Sequence, residues 1–334
     1  MRTREDVIQI IKRARYEGEV PDLSGADLSG IDLSRVDLRG VNLSGARLTR
    51  ANLSQANLIR TNLSGADLSG ARLTDARWHA VKLDQANLSG ANLSKEKMDT
   101  ASLIGANLTE ANLRRVSLRW SKLNNAELKQ VNLVEADLRE ADLSGSQLTD
   151  ASLNMALLRN ADLSGATFRG AQLDQANLEE CNLTGANLEG CKFGKVFLGG
   201  TNLGRLNLSG FNLAQLDLSG ANLSDANLSE ANLTGTNLTK ANLTKVDLRK
   251  ANLTKANLSR ADLSEANLAG AEVTKEQLEV VRKMEKAVLP DGNIYVPAKP
   301  KKSKPGKGEK QRATASGLAA ALGRIKKKGN VDET

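Results

Sequence analysis

Between Pro21 and Val273 the apolar positions of this chain recur every five residues without a change of phase. A small residue, usually Ala, opens each repeat. Asp or Asn commonly follows, Leu comes third, and two polar or small residues close it. There are 51 consecutive repeats, with Leu third in 46 and Ala first in 31. Trp78, Met98, Phe168, Phe193 and Val273 are the exceptions at the third position. This period fits neither regular element. An α-helix turns about 100° per residue, so leucines five apart would spread round the cylinder. A flat strand alternates with period two, so successive leucines would face opposite ways. The chain must therefore turn a corner in every repeat. The first and third residues share the inner face, and the fourth and fifth make the corner. Glycine at the fifth position, as in Gly25 and Gly65, relaxes that turn. Asp or Asn at the second position can bond nearby backbone or stack in polar ladders.

Repeats such as Ala-Asn-Leu-Ser-Gln at 51–55 recur throughout, and on them the chain resembles the pentapeptide-repeat family. The motif covers about three quarters of the sequence. The resemblance implies an all-β solenoid, a right-handed quadrilateral β-helix with four repeats per coil. The 51 repeats would then make nearly thirteen coils. At about 4.8 Å between neighbouring strands, that is a rod roughly 60 Å long. Some members of the family imitate DNA and protect topoisomerases with a dimeric, acidic rod. This chain departs from that pattern, because its repeat region is near neutral and its tail is basic.

The ends differ from the middle. Residues 1–20 predict a helical cap, with Thr3 and Asp6 as a capping box, an apolar face from Val7 to Ala14, and Gly18 as the stop. Residues 21–273 form the repeat domain. Residues 274–296 predict a second cap, with a full capping box at Thr274–Gln277 and a helix near 275–288. Pro290-Asp291-Gly292 follows as a turn. Residues 297–334 are expected to be a basic, disordered tail with a short amphipathic segment at 315–328. In that segment Leu318, Leu322 and Ile325 recur at helical spacing and could meet a partner helix or an anionic surface.

Aromatic content is 2%, too little for an ordinary globular core in 334 residues. Layers of Leu and Ala have no need of more. The net charge of +8 is concentrated in the tail: residues 21–273 hold 27 basic and 28 acidic residues, and residues 274–334 hold 15 and 7. The first functional reading is a non-enzymatic, rigid interaction scaffold whose basic tail recruits a protein partner or an anionic surface. Two alternatives stand beside it: a DNA-mimicking, topoisomerase-interacting protein, and weak non-specific nucleic-acid binding through the tail. No apolar run reaches the ~18 residues of a spanning helix, and no apolar stretch follows the N-terminal charges. The expected location is the cytoplasm.

Candidate contact residues lie where outer positions break the pattern. If positions one coil apart stack, Arg119, Arg139 and Arg159 form a basic ladder, with Trp120 on the adjoining corner and Arg115 nearby. Lys240, Arg249, Lys250 and Arg260 decorate the last coils and join Lys301, Lys302, Lys304, Lys326, Lys327 and Lys328 in a basic end. Two irregularities point inward. Glu96 takes an Ala position next to Met98 and is expected to reach water through a local bulge, since a buried unpaired carboxylate is costly. Leu206, Phe211 and Leu216 enlarge three successive Ala positions. Cys181 and Cys191 stand at Ala positions and read as small buried residues. His79 is the only histidine. No Ser-His-acid set, phosphate loop, paired-Cys motif or dinucleotide fingerprint is present, so no enzyme, metal or cofactor is expected.

Overall fold

A computed structural model describes residues 3–297. The tail, with Leu318, Leu322, Ile325 and the lysines at 301, 302, 304 and 326–328, lies outside the described residues. The chain divides into two compact units, with the boundary between Asn202 and Leu203.

Unit 1 opens with α1 (Arg4–Glu17). Thr3 Oγ1 accepts from the Asp6 amide, and the Asp6 carboxylate accepts from the Thr3 amide at 2.7 Å. Gly18, at φ 76°, ends the helix in the left-handed region. Val7 and Ile11 are buried. Arg4 donates to the carbonyls of Asp32 and Ser34, and Arg15 to those of Asp37 and Arg39. Those four carbonyls belong to the first coil, which has no coil before it to supply amides. The guanidinium groups of α1 take that place.

Most later repeats make the same few bonds. Leu33 N donates to Asn52 O at 2.8 Å, and Asn52 N donates to Ile31 O at 2.8 Å. The corner is a turn closed by Val36 N to Leu33 O at 3.1 Å. Its third residue has positive φ whether it is Gly30 at 67° or Arg35 at 60°, as a type II turn requires. The second-position side chain secures the turn and ties coils together. Asp32 Oδ1 accepts from the Ser34 amide at 2.9 Å and from Asn52 Nδ2 at 3.1 Å. Parallel bridges run in steps of 20 residues from Asp22↔Asn42 to Asn182↔Asn202. One circuit is therefore four repeats. The third-position leucines are buried throughout, and the first-position alanines face inward and are buried except for the half-buried Ala26.

The expected fold class needs correction. The described residues contain no β-strand, only two short helices and isolated single-residue bridges, so the all-β solenoid and the quadrilateral β-helix do not describe this chain. A corner at the fourth and fifth positions leaves three residues per side, and only the middle one pairs with the next coil. Period five fixes where the corners fall, and corners that close together leave too little extended backbone between them for a strand.

Unit 2 repeats this register from Asn207↔Asn227 to Asn252↔Glu272. Then α2 (Lys275–Glu279) interrupts it, capped by Thr274. Gln277 Nε2 donates to the carbonyls of Leu253 and Ala256 at 2.7 and 2.8 Å, which α2 would otherwise leave open. The helix stops at Glu279 instead of running to 288. Met284, Ala287 and Leu289 resume the inward pattern, and all three are buried. Past α2 the bridges step by 21 residues, as in Asp262↔Lys283. An antiparallel bridge, Val288↔Ile294, turns the chain back across the last edge, and Tyr295 N donates to Ala287 O at 2.7 Å.

Polar residues at inward positions test this packing. Thr61 donates its hydroxyl to Leu38 O at 2.7 Å, and Thr236 donates to Leu213 O at 2.8 Å. Ser146 is buried, and its hydroxyl has no partner among the described residues. Removing an unsatisfied hydroxyl removes a desolvation cost of about 1–3 kcal/mol. Ser146→Ala should therefore hold or raise the urea midpoint. Leu143→Ala, at a fully buried position, should lower stability by about 2–5 kcal/mol. A lower midpoint for Ser146→Ala would contradict this account.

Candidate functional site

Arg119, Arg139 and Arg159 do share one side of the coils in unit 1, but they are not a bare basic row. Arg119 Nη2 lies 2.5 Å from Asp99, Arg139 Nη2 2.6 Å from Asp137, and Arg159 Nη2 2.7 Å from Glu180. Glu135 takes both Arg115, at 2.6 Å, and Arg114, at 2.7 Å. Burial alone would raise the Asp99 carboxyl, but bonds from Arg119 and Ser117 outweigh it and hold it below the usual carboxylate range. The result is a grid of paired charges with planar guanidinium groups fixed in place.

Trp120 stands on the corner of this side, 51% exposed. Its backbone is left-handed, with φ 56°. The Arg119 guanidinium lies 5.0 Å from the ring centroid, and the indole Nε1 donates to Glu140 at 2.9 Å. A cation over one face and a carboxylate at the edge fix the ring while leaving it open to solvent.

The same side carries three more exposed apolar side chains that were not among the residues expected to contribute. Bridges connect Ser117, Asp137, Leu157, Asn177 and Phe197 in one column. Leu157 and Phe197 are exposed there, and Met155 is exposed on the corner two residues before Leu157. Between residues 21 and 202, the exposed large apolar side chains among the described residues are Trp120, Met155, Leu157 and Phe197. All four fall on this one side. The signal lay in the sequence: each occupies a second or fifth position, where polar residues or glycine are the rule.

A second irregular region of unit 1 surrounds Trp78. The series of bridges in this unit skips two members, the pairs that would join residue 72 to 92 and residue 77 to 97. The amides of Leu73, Trp78, Asn92 and Lys97 make no backbone bond among the described residues. Trp78, 1% exposed, takes a Leu position, and Glu96, 7% exposed, takes an Ala position beside it. Both residues are larger than the repeat allows, and together they hold the two coils apart. Glu96 does not bulge out to water as expected. One carboxylate oxygen accepts from the Asp75 amide at 2.8 Å and the other from the Trp78 indole at 3.0 Å. Burial raises the Glu96 carboxyl above its ordinary value, although these two bonds pull the other way. A cleft of about 690 Å³ opens here, lined by Trp78, His79, Lys95 and Glu96 among others.

The other candidates are weaker. In unit 2, Arg249 is paired with Asp247 at 2.6 Å and Lys250 with Glu230 at 3.2 Å. Lys240 and Arg260 have no carboxylate partner among the described residues. Leu206 and Leu216 are buried, and Phe211 is half-buried. Burial pushes the Cys181 and Cys191 thiols up to about 12, so neither supplies a thiolate at neutral pH. Among the described residues no helix is long and apolar enough to cross a membrane.

Comparison with known proteins agrees with this repeat geometry. The pentapeptide-repeat family model matches in successive copies from residues 22–55 to 241–275. The chain belongs to the pentapeptide-repeat family, whose members are characteristically non-catalytic interaction proteins. Among solved structures it is similar to HetL, a pentapeptide repeat protein involved in heterocyst differentiation regulation from Nostoc sp. strain PCC 7120, at 29% identity over 85% of this chain and 98% of that one, with a TM-score of 0.29. It is also similar to Rfr23 from the cyanobacterium Cyanothece 51142, at 32% identity over 34% of this chain and 85% of that one, with a TM-score of 0.18. QnrB1, a plasmid-mediated fluoroquinolone resistance protein, aligns at 20% identity over 69% of this chain and 89% of that one, with a TM-score of 0.20. No curated protein matches the chain.

Glu96 gives a pH signature. Its folded-state carboxyl titrates above the ordinary value of 4.5, so the folded chain holds the proton more tightly than the unfolded one. Its contribution to stability is complete below that value and is lost as pH rises through the folded pKa. Glu96→Gln removes this loss. The stability of the variant relative to the parent should therefore climb as pH rises above 4.5. Urea midpoints of both proteins from pH 4 to 8 would check it, and parallel profiles would refute it.

Proposed function

We propose that this chain is a protein-interaction scaffold and that the side of unit 1 bearing Trp120, Met155, Leu157 and Phe197 is its contact surface. The observation that carries this reading is the grouping of those four exposed apolar side chains on one side, set among paired charges. Exposed apolar patches rimmed by polar groups mark protein contacts, and such contacts concentrate their energy in Trp and Arg. Here the ion pairs fix the rim before binding, so a partner meets arginines and an indole that are already ordered. That lowers the entropy lost on association. Trp120, Leu157 and Phe197 follow one another at about every second circuit, which suits an extended partner segment lying along the column.

The basic tail supports a second, longer-range contribution. Residues 297–312 hold seven basic residues and one acidic residue. A segment of that charge speeds encounter with an acidic partner and weakens with salt.

The two parts separate in one experiment. Partners captured from native extract by the full chain should fall at least tenfold with Trp120→Ala plus Leu157→Ser, while the folding transition stays in place. Replacing lysines 301, 302, 304, 326, 327 and 328 with Gln should instead lower the salt needed to elute the protein from heparin and leave the captured set intact at moderate salt. Capture that does not change in the Trp120/Leu157 variant would remove this side of unit 1 from consideration.

A further inference from the structure

The opened seam in unit 1 carries features that its packing does not use. Arg60, Arg77, Lys95 and Lys97 are exposed around it, and none has a carboxylate partner among the described residues. The nearby acids are mostly committed. Glu96 is held by Trp78 and the Asp75 amide, and Asp37 by Arg15 and Arg39. Asp75 and Glu96, the two acids in the cleft linings, leave these cations in excess. A second cleft of about 490 Å³ adjoins the first, sharing Ile59 and His79 and adding Arg60 to its lining. The seam thus opens onto a basic hollow, within the ~300–1,000 Å³ range of ligand clefts.

Its edges are also unfinished. The amides of Leu73 and Trp78 lack the carbonyl partners that Leu53 and Leu58 find one coil below. Facing them, the carbonyls of Asn92 and Lys97 accept no bond among the described residues, and neither do those of Ala71 and Ala76. Unpaired donors and acceptors therefore alternate along both edges. An extended peptide offers both kinds of group in the same alternation. An inorganic anion would satisfy only the amides. A nucleic-acid strand would want an exposed ring to stack on, and Trp78 is buried.

We propose that this seam is a binding site for a short, extended, acidic peptide segment of a partner protein, which pairs with the open backbone edges and places its carboxylates against Arg60, Arg77, Lys95 and Lys97. The site is separate from the Trp120 surface and does not depend on that reading. It also explains why the chain keeps two oversized residues at inward positions: a fully zipped ladder has no free edge to offer.

Trp78 lies in the site wall and reports on it directly. Replacing Trp120 with Phe leaves Trp78 as the only tryptophan of the full chain. Titrating that protein at low salt with an acetylated, amidated peptide alternating Glu and Val should change its emission in a saturable way. Arg77→Glu plus Lys97→Glu should weaken the apparent affinity at least tenfold, and Arg77→Gln plus Lys97→Gln by a smaller factor, with the thermal transition of both retained. Peptide held by the tail alone would leave Trp78 emission flat, which would overturn the proposal. Two other results would overturn it as well: binding unaffected by both pairs of substitutions, or tripolyphosphate or an oligo-dT strand acting as strongly as the peptide. A matched Lys-Val peptide should produce no response.

Discussion

In each circuit an amide such as Leu33 N reaches the carbonyl of Asn52 at 2.8 Å, and Asn52 N returns a bond to Ile31 O. These main-chain bonds between consecutive coils are what every other feature depends on. A turn in each repeat strips the backbone of the local partners that a helix would supply. The only remaining partners for these groups lie one coil away, and an unpaired buried backbone group costs as much as a lost hydrogen bond. Leucine at the third position makes the arrangement possible by filling the interior at the height of one coil, and alanine at the first position keeps the corners close. Side-chain ladders such as Asn52 Nδ2 to Asp32 Oδ1 add a second tie with the same register. The ends follow the same logic. Arg4 and Arg15 of α1 serve the first coil's carbonyls, and Gln277 serves the carbonyls that α2 leaves open.

Much of this was legible in the sequence because the period is short and the phase never slips. The corner at the fifth position and the inward leucines follow from the repeat, whereas the register of four repeats per circuit was implied only by the family resemblance. Strand content did not follow. Knowing that a side must be extended between corners does not say that it extends far enough to count as a strand, and three residues with one pairing point do not. The length of α2 was misjudged for a related reason. Leu278, Val281 and Val288 have helical spacing, but Met284, Ala287 and Leu289 fit the repeat again, and burial against the coil outweighs weak helical periodicity.

The arginines show a different limit. Their alignment in steps of 20 could be read directly, but their partners could not. Asp99, Asp137 and Glu180 come from different positions of neighbouring repeats, and only the path of long side chains over the corner decides which carboxylate each guanidinium finds. A count of charges therefore overstated how basic that side is. The apolar residues on it were overlooked for the opposite reason. Leu157 is the most ordinary residue in this sequence, and only its second position in the repeat marks it as outward-facing.

Inward and outward exceptions to the repeat have different physical consequences, and this separates the two regions of unit 1. An exception at the second, fourth or fifth position changes what solvent meets and leaves the main-chain bonds intact: the bridges through Ser117, Asp137, Leu157, Asn177 and Phe197 are all present. Such positions can vary at little cost in stability, which suits them to partner recognition. An exception at the first or third position must be absorbed between coils. Phe168 is absorbed without loss, since its amide still donates to Asn187 O at 2.7 Å. Size alone therefore does not open the ladder. Around Trp78 the added element is Glu96, whose carboxylate claims the Asp75 amide and the indole for itself. At the seam a polar side chain takes one ladder donor, the Asp75 amide, and sits beside an oversized indole, whereas Phe168 without such a neighbour stays zipped.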